Sequence, residues 1–177
     1  MKKLFLILLA ITIIVLSVGY ALHTNTPVDN DKSENSLHTI TTEEKQRIDL
    51  YVAAMKAAFE KGNGGNSFVA VKLDTLEGLS DVAKQEVLNA ITGLSPNVYD
   101  FENVKNDTAK FELDQEGRLV MSIDGTLLWV NVEKYSKNKA TITGVSWYGN
   151  LGAVFPTYKA TFKAGKWQFK LISMAIS

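Results

Sequence analysis

The sequence predicts an α+β fold in which two helices pack on a curved antiparallel sheet, preceded by one N-terminal hydrophobic helix. Three observations support this prediction. Two capped segments repeat apolar residues every three or four positions, which is the period of a helix. The last part of the chain alternates apolar and polar residues between turn signals, as half-buried strands do. The chain also begins with an uninterrupted apolar run.

That apolar run has the features of a membrane anchor. Lys2 and Lys3 precede residues 4–22, and no further charge appears before Asp29. About 20 apolar residues suffice to cross a bilayer core, and basic flanking residues stay on the cytoplasmic side. We therefore expect residues 1–22 to be a signal anchor that contacts the membrane. The protein would then be a single-pass protein of the cell membrane with its C-terminal domain outside.

A cleavable signal peptide is the alternative interpretation of the same segment. Gly19 and Ala21 are the small residues that precede such a cut, and the remainder would then be secreted. Residues 23–40 follow, rich in Asn, Asp, Ser and Thr and without apolar periodicity, so they predict a flexible linker. Both histidines of the chain, His23 and His38, lie in this linker.

Composition limits the chemistry and the partners. The 177 residues include 19 basic and 19 acidic side chains, so the net charge is near zero. The lysines are scattered along the predicted strands, and we expect no nucleic acid partner. The absence of cysteine excludes disulfides, thiol catalysis and Cys-based zinc sites. Because the histidines lie in a linker, we expect no histidine-based catalysis, no bound metal and no cofactor.

Two helices are predicted from their caps and apolar faces. Thr41 and Glu44 form a capping box at the start of the first helix, which ends at Gly62. Its apolar face consists of Ile48, Tyr51, Val52, Met55 and Phe59. The second helix begins after Ser80 and ends at Gly93. Its apolar face consists of Ala83, Val87, Ala90, Ile91 and Leu94.

The remaining elements are predicted as strands. Residues 62–66, GNGGN, form a flexible turn into a buried strand over residues 68–73. Asp124 and Gly125 are a strong signal for a two-residue hairpin. The later strands are predicted over residues 98–101, 111–113, 119–123, 126–135, 140–149, 156–164 and 166–176. Because short turns join most of them, we expect an antiparallel sheet.

This order of elements resembles the nuclear-transport-factor-like family of cone-shaped α+β domains. The long strands and the closing segment KAGKWQFKLIS, residues 163–173 with a Gly-Lys-Trp turn, carry the resemblance. It covers the topology of residues 41–177 and implies a cone-like sheet around the helices. The orientation of the N-terminal anchor predicts that this domain, residues 41–177, is extracytoplasmic. The overall plan also resembles small membrane-anchored or secreted proteins of Gram-positive bacteria. Neither resemblance implies an activity, since such folds host enzymes, binding modules and structural parts.

One segment is a candidate binding site. Residues 145–156, VSWYGNLGAVFP, place aromatic side chains beside glycines, and rigid rings give contact area at low entropic cost. The candidate binding residues are Trp147, Tyr148, Asn150 and Phe155. In the alternative interpretation the rings belong to the core and the glycines allow a bulge where a strand bends.

The sequence contains no catalytic constellation, so we predict no catalytic residues. We expect a non-enzymatic extracytoplasmic binding or protein-interaction domain, tethered to the membrane, whose partner is a protein or a small ligand. The alternative is a small-molecule enzyme, a hydrolase or isomerase, that uses carboxylate or tyrosine acid-base groups in a cone-shaped pocket. A deep pocket that contains a buried carboxylate with a perturbed pKa would favour the enzyme. A cone filled by side chains, with exposed aromatic residues on its surface, would favour the binding domain.

Overall fold

The computed structural model describes residues 39–177. The predicted hydrophobic helix and almost all of the predicted linker lie outside these residues. The described residues belong to one compact unit. None of the helices within residues 39–177 has the length and apolar character needed to span a membrane.

The first helix, α1, extends over Thr42–Lys61, and its predicted capping box is confirmed. The Glu44 amide donates to the Thr41 hydroxyl at 3.1 Å, and the Thr41 amide donates to the Glu44 carboxylate at 2.9 Å. The buried face includes the predicted Ile48, Tyr51 and Met55. Val52 and Phe59 are only partly buried, because they lie at the margin of the face that contacts the sheet.

Two further helices complete the α part. The second helix, α2, extends over Asp81–Ile91, with Ser80 as its N-cap as predicted. Ala83, Val87 and Ile91 are buried on its inner face. A third, single-turn helix, α3 (Phe101–Val104), was not predicted, because four residues are too few to show helical periodicity.

Eight strands form one mixed, curved sheet in the order β2-β1-β5-β6-β7-β8, and a β3–β4 hairpin joins β6 through β4. The strands are β1 (Phe68–Val71), β2 (Val98–Asp100), β3 (Phe111–Leu113), β4 (Leu119–Ser122), β5 (Gly125–Ser136), β6 (Lys139–Gly149), β7 (Gly152–Lys163) and β8 (Lys166–Ile176). Bulges in the β5–β6, β6–β7 and β7–β8 pairs bend the long strands.

The expectation of a wholly antiparallel sheet is wrong. Strand β1 pairs in parallel with both β2 and β5, whereas the pairs that β3 to β8 form among themselves are antiparallel. Parallel pairs need long crossovers, and the connections after β1 are long enough to return the chain in the same direction. The predicted strand over residues 68–73 also ends early, because Leu73–Thr75 form a turn of 3₁₀ helix.

The two faces of the sheet are covered differently. Helices α1 and α2 pack on one face, called here the helix face, and form the main core with it. Gly144 lets α1 approach closely, since a Cβ atom there would overlap the Ala54 carbonyl oxygen. The opposite outer face is covered at one end by α3 and the β3–β4 hairpin. Phe68, Phe101 and Phe111 pack edge to face beneath them, with ring centroids 5.4 and 5.8 Å apart.

Candidate functional site

In the structure, the aromatic side chains of the predicted segment do not lie together on one face of the sheet. Residues 145–156 form the end of β6, a turn and the start of β7. Trp147 packs against the outer cluster of apolar side chains. Phe155 is half-buried and lies two residues after Ala153, the cross-strand partner of Trp147, so both rings belong to the outer face. Asn150 is exposed at the turn, where its backbone N–H donates to the Val120 carbonyl at 2.9 Å.

Tyr148 is separated from these residues. It is the bulged residue between two cross-strand pairs of β6 and β7, and its ring lies against three glycines. A Cβ atom on Gly152 would lie 2.5 Å from Tyr148 Cε2, and one on Gly62 would lie 3.3 Å from the Tyr148 hydroxyl. A Cβ on Gly64 would overlap Tyr148 Cβ. The glycines thus make room for a half-buried ring.

The glycine-rich turn beside this ring is tied to the sheet by hydrogen bonds. The Ser146 hydroxyl donates to the Gly62 carbonyl at 2.7 Å. The Thr126 hydroxyl accepts from the Gly64 amide at 3.1 Å and donates to the Gly65 carbonyl at 2.9 Å. The predicted turn is therefore present, and its backbone is fixed to β5 and β6.

A different set of residues forms the most distinctive surface. Cross-strand partners project from the same face of a sheet, and two neighbouring rows of partners cross β5, β6, β7 and β8. The first row consists of Lys134, Thr141, Lys159 and Lys170, and the second of Ser136, Lys139, Thr161 and Gln168. The intervening row of Tyr135, Ala140, Ala160 and Phe169 belongs to the main core. The four lysines therefore lie together on the outer face, and we call them the lysine face.

The lysine face has almost no acidic residues near it in sequence. Residues 125–177 contain seven lysines and a single acidic residue, Glu133. Residues 39–124 contain nine basic and fifteen acidic residues. None of the ion pairs found within residues 39–177 involves a lysine of the lysine face. The ammonium groups of this face are therefore available to an external anion.

A groove accompanies these lysines. It has a volume of ≈ 480 Å³. Its lining includes Lys134, Lys139 and Lys159, the hydroxyl-bearing Ser136, Thr141 and Thr161, and the intervening Tyr135, Ala140 and Ala160. Ammonium and hydroxyl groups are hydrogen-bond donors, and charge-assisted bonds to an anionic oxygen are among the stronger polar contacts in proteins. The groove is thus chemically suited to phosphate or carboxylate groups.

The chain matches no protein-family model, no curated protein and no solved structure. No group of three or more His, Cys, Asp or Glu side chains that could hold a metal ion occurs within residues 39–177.

A second groove, of ≈ 470 Å³, adjoins the start of α1. Its Arg47 guanidinium lies over the Tyr135 ring, 3.7 Å from the centroid, and pairs with the Glu43 carboxylate at 3.1 Å. The Tyr51 hydroxyl donates to the Glu77 carbonyl at 2.8 Å. Burial raises the pKa of both Tyr51 and Tyr135. These contacts anchor α1 to the loop that precedes α2, and the arginine is already engaged.

Sequence reasoning missed the lysine face. The lysines that appear scattered along the chain lie together, because the register of four strands aligns positions far apart in sequence. The signal that could have found them was the separation of charge between residues 39–124 and 125–177. Overall net charge conceals this separation, since the two parts cancel.

Proposed function

We propose that this protein is a non-enzymatic extracytoplasmic binding domain, tethered to the membrane through residues 4–22, that holds an anionic ligand on its lysine face. The observation that supports this proposal is the convergence of four lysines without ion pairs on one face, three of which line one groove. A field of one sign over a groove raises the local concentration of oppositely charged ligands.

The arrangement of the lysines favours a linear polyanion over a single small anion. Neighbouring strands lie about 4.8 Å apart, so the backbones of Lys134 and Lys159, two strands apart, are separated by roughly 10 Å. Lys139 lies in the next row, roughly 7 Å further along the strands. A chain that bears repeated phosphate or carboxylate groups can contact several of these ammonium groups at once.

The side chains between the lysines argue against two other anionic partners. Proteins that lie on a bilayer combine basic residues with apolar side chains that enter the acyl boundary. Proteins that bind single-stranded nucleic acid combine them with aromatic rings that stack on bases. The two rows of the lysine face contain Ser, Thr and Gln between the lysines. A hydrated polymer fits this polar surface better than either of those partners.

Binding of defined polyanions tests the proposal. The full-length protein in nanodiscs of zwitterionic lipid would be titrated with polyphosphate and with poly-glutamate at two salt concentrations. We expect binding that weakens steeply with salt, because polyanion binding releases counterions. The triple variant Lys134→Gln/Lys139→Gln/Lys159→Gln should lose tenfold or more in affinity and show a shallower salt dependence.

A matched control removes the same charge elsewhere. Lys45→Gln/Lys61→Gln/Lys84→Gln alters three lysines of α1 and α2, and its affinity should stay within about twofold of the wild type, as contacts outside the site contribute little. Equal losses in both triple variants would overturn the proposal, because binding would then depend on net charge alone. Binding confined to nanodiscs of anionic lipid would instead assign the face to the membrane surface.

The enzymatic alternative has less support. A cone-shaped pocket would open on the helix face, and that space holds side chains of α1 such as Leu50 and Met55, both 0% exposed. Burial raises the pKa of Asp49, yet this carboxylate does not line either groove described above. The resemblance to the cone-shaped family therefore concerns the fold and supplies no pocket chemistry.

A further inference from the structure

The last strand has a feature that the lysine face does not explain. Within residues 39–177, β8 pairs with β7 alone, so its other edge has no strand partner in this part of the chain. Four large apolar residues of β8 are exposed, namely Leu171 (45%), Ile172 (45%), Met174 (46%) and Ile176 (68%). Residues 171–176 contain no charge and no proline.

Natural edge strands are usually protected by charged side chains, by proline or by a covering element. Lys166 and Lys170 protect the first half of β8 in this way. The second half has a bulge at Ile172 but no charge, no proline and no covering strand within residues 39–177, and its apolar side chains add to the unpaired backbone groups. A surface of this kind is completed by another β-strand, which satisfies the backbone and covers the side chains together.

We propose that the strand that completes this edge is β8 of a second copy of the same chain, paired antiparallel around a two-fold axis near Met174. Isologous pairing of this kind is the commonest symmetry of protein dimers. With the axis at Met174, each Met174 faces the same residue of the other copy. Ser173 faces Ala175, and Ile172 faces Ile176, so the contact is apolar with one small polar residue.

The lysines of β8 disfavour an axis in the first half of the strand and are compatible with this register. With the axis at Met174, the two Lys170 residues are eight positions apart along the strands, roughly 27 Å at ~3.4 Å per residue. That separation exceeds the Debye length of about 8 Å at physiological salt, so their repulsion is screened. An axis at Lys170 would place the two Lys170 side chains opposite each other, and an axis at Gln168 would place Lys166 opposite Lys170.

The orientation of the faces also fits a second copy. Because the axis is perpendicular to the sheet, the α1 helices of both copies lie on one side of the joined sheet and both lysine faces on the other. Two chains tethered in one membrane are held at a high effective concentration, and their joined lysine faces would extend the surface for a long polyanion. These two points rest on the proposed function, whereas the argument from the β8 edge does not.

The cysteine-free chain permits a direct test. Met174→Cys in the full-length protein, in membranes treated with a mild oxidant, places two thiols at a cross-strand pair with Cβ atoms about 4.5–5.5 Å apart. The control is Leu151→Cys, which is 94% exposed and lies in the β6–β7 turn, outside β8. We expect a disulfide-linked dimer to form at least about tenfold faster for Met174→Cys. Equal rates would overturn the proposal.

Mixed cross-linking tests the register. Chains with Ile172→Cys and chains with Ile176→Cys carry different tags and are co-expressed. We expect the mixed disulfide to form faster than either homodimeric one, because the proposed register pairs Ile172 with Ile176. Homodimers that form as fast as the mixed species would overturn that register.

The polyanion titration, repeated on Met174→Cys under reducing conditions, separates the two proposals. If Met174→Cys does not cross-link but still binds the polyanion, only the proposed dimer is overturned. If Met174→Cys cross-links but does not bind the polyanion, the dimer is supported and the proposed function is overturned.

Discussion

The two parts of the domain differ in how their charges are used. Residues 39–124, with the helices and short strands, have six more acidic than basic residues, and residues 125–177, the four long strands, have six more basic than acidic residues. All ion pairs found in the described residues lie within the first part. Four of the nine basic residues there form ion pairs with nearby carboxylates, whereas the lysines of the long strands form none within residues 39–177. A zero net charge thus conceals one region that contains the ion pairs of the described residues and another whose lysines form none.

The largest expected effect tests whether stability depends on the helix side. Met55→Ala should lower the free energy of unfolding by roughly 2–5 kcal/mol, because the side chain is 0% exposed in the main core. Lys159→Ala, on the lysine face, should change it by less than about 0.5 kcal/mol. Urea unfolding of residues 39–177, which contain both apolar clusters, measures the difference. A loss below about 0.5 kcal/mol for Met55→Ala would mean that this helix face is misassigned.

The next effect concerns the contact between the two parts. Gly144→Ala should destabilise the domain by about 1–3 kcal/mol, the usual cost of overpacking, because its new Cβ would overlap the backbone carbonyl of Ala54. Gly149→Ala, on the same strand, is the control, since its Cβ would have its nearest contact at an ordinary 3.5 Å. Thermal unfolding of both variants shows the contrast. Similar melting temperatures would show that α1 can shift away from β6 at little cost.

A smaller effect distinguishes two residues of the predicted aromatic segment. Tyr148→Ala should cost about 1–2 kcal/mol, less than the loss of a fully buried ring, because the ring packs against the glycine-rich turn. Asn150→Ala should stay within about 0.5 kcal/mol, as is usual for an exposed side chain. If Tyr148→Ala leaves stability unchanged and selectively abolishes partner binding, the aromatic segment becomes a recognition surface after all.

The smallest effect is a pH dependence within the acidic part. Hydrogen bonds from Ser80, first from its hydroxyl, and from Thr41 lower the pKa of Glu44 from 4.5 to about 2. A lowered pKa means that the carboxylate stabilises the folded state above pH 4.5, and that this contribution is lost as the pH falls from 4.5 towards 2. The stability difference between the wild type and Glu44→Gln should therefore shrink below pH 4.5. A difference that is constant from pH 7 to pH 2.5 would show that Glu44 contributes no such linkage.

Local signals explain which parts of the fold could be predicted from the sequence. Both main helices were predicted with their caps, because Thr41, Glu44 and Ser80 act on amides three residues away at most. The long strands were predicted because their alternation and turns are equally local. The parallel pairing of β1 with β5 was not predicted, because it joins Phe68 to Gly125 across 57 positions that contain α2, α3 and three strands.

The candidate site depended even more on non-local geometry. The sequence shows that Trp147 and Tyr148 are adjacent aromatic residues, but not that a bulge and three glycines place Tyr148 against the turn at residues 62–66. It likewise shows lysines at positions 134 and 170 without showing that two intervening strands bring them into one row. Register, which decides both questions, is set by cross-strand packing rather than by any single segment.

The parallel pairing between β1 and β5 also has a consequence for the order of folding. Strands β5 to β8 are joined by turns of two residues, so their contacts close short loops, whereas β1 can reach β5 only after a much longer loop closes. The four-stranded meander should therefore form early, and α1 and β1 should dock on it late, in the rate-limiting step. Pulsed hydrogen exchange during refolding would then show protection of amides in β6 and β7 before those of β1.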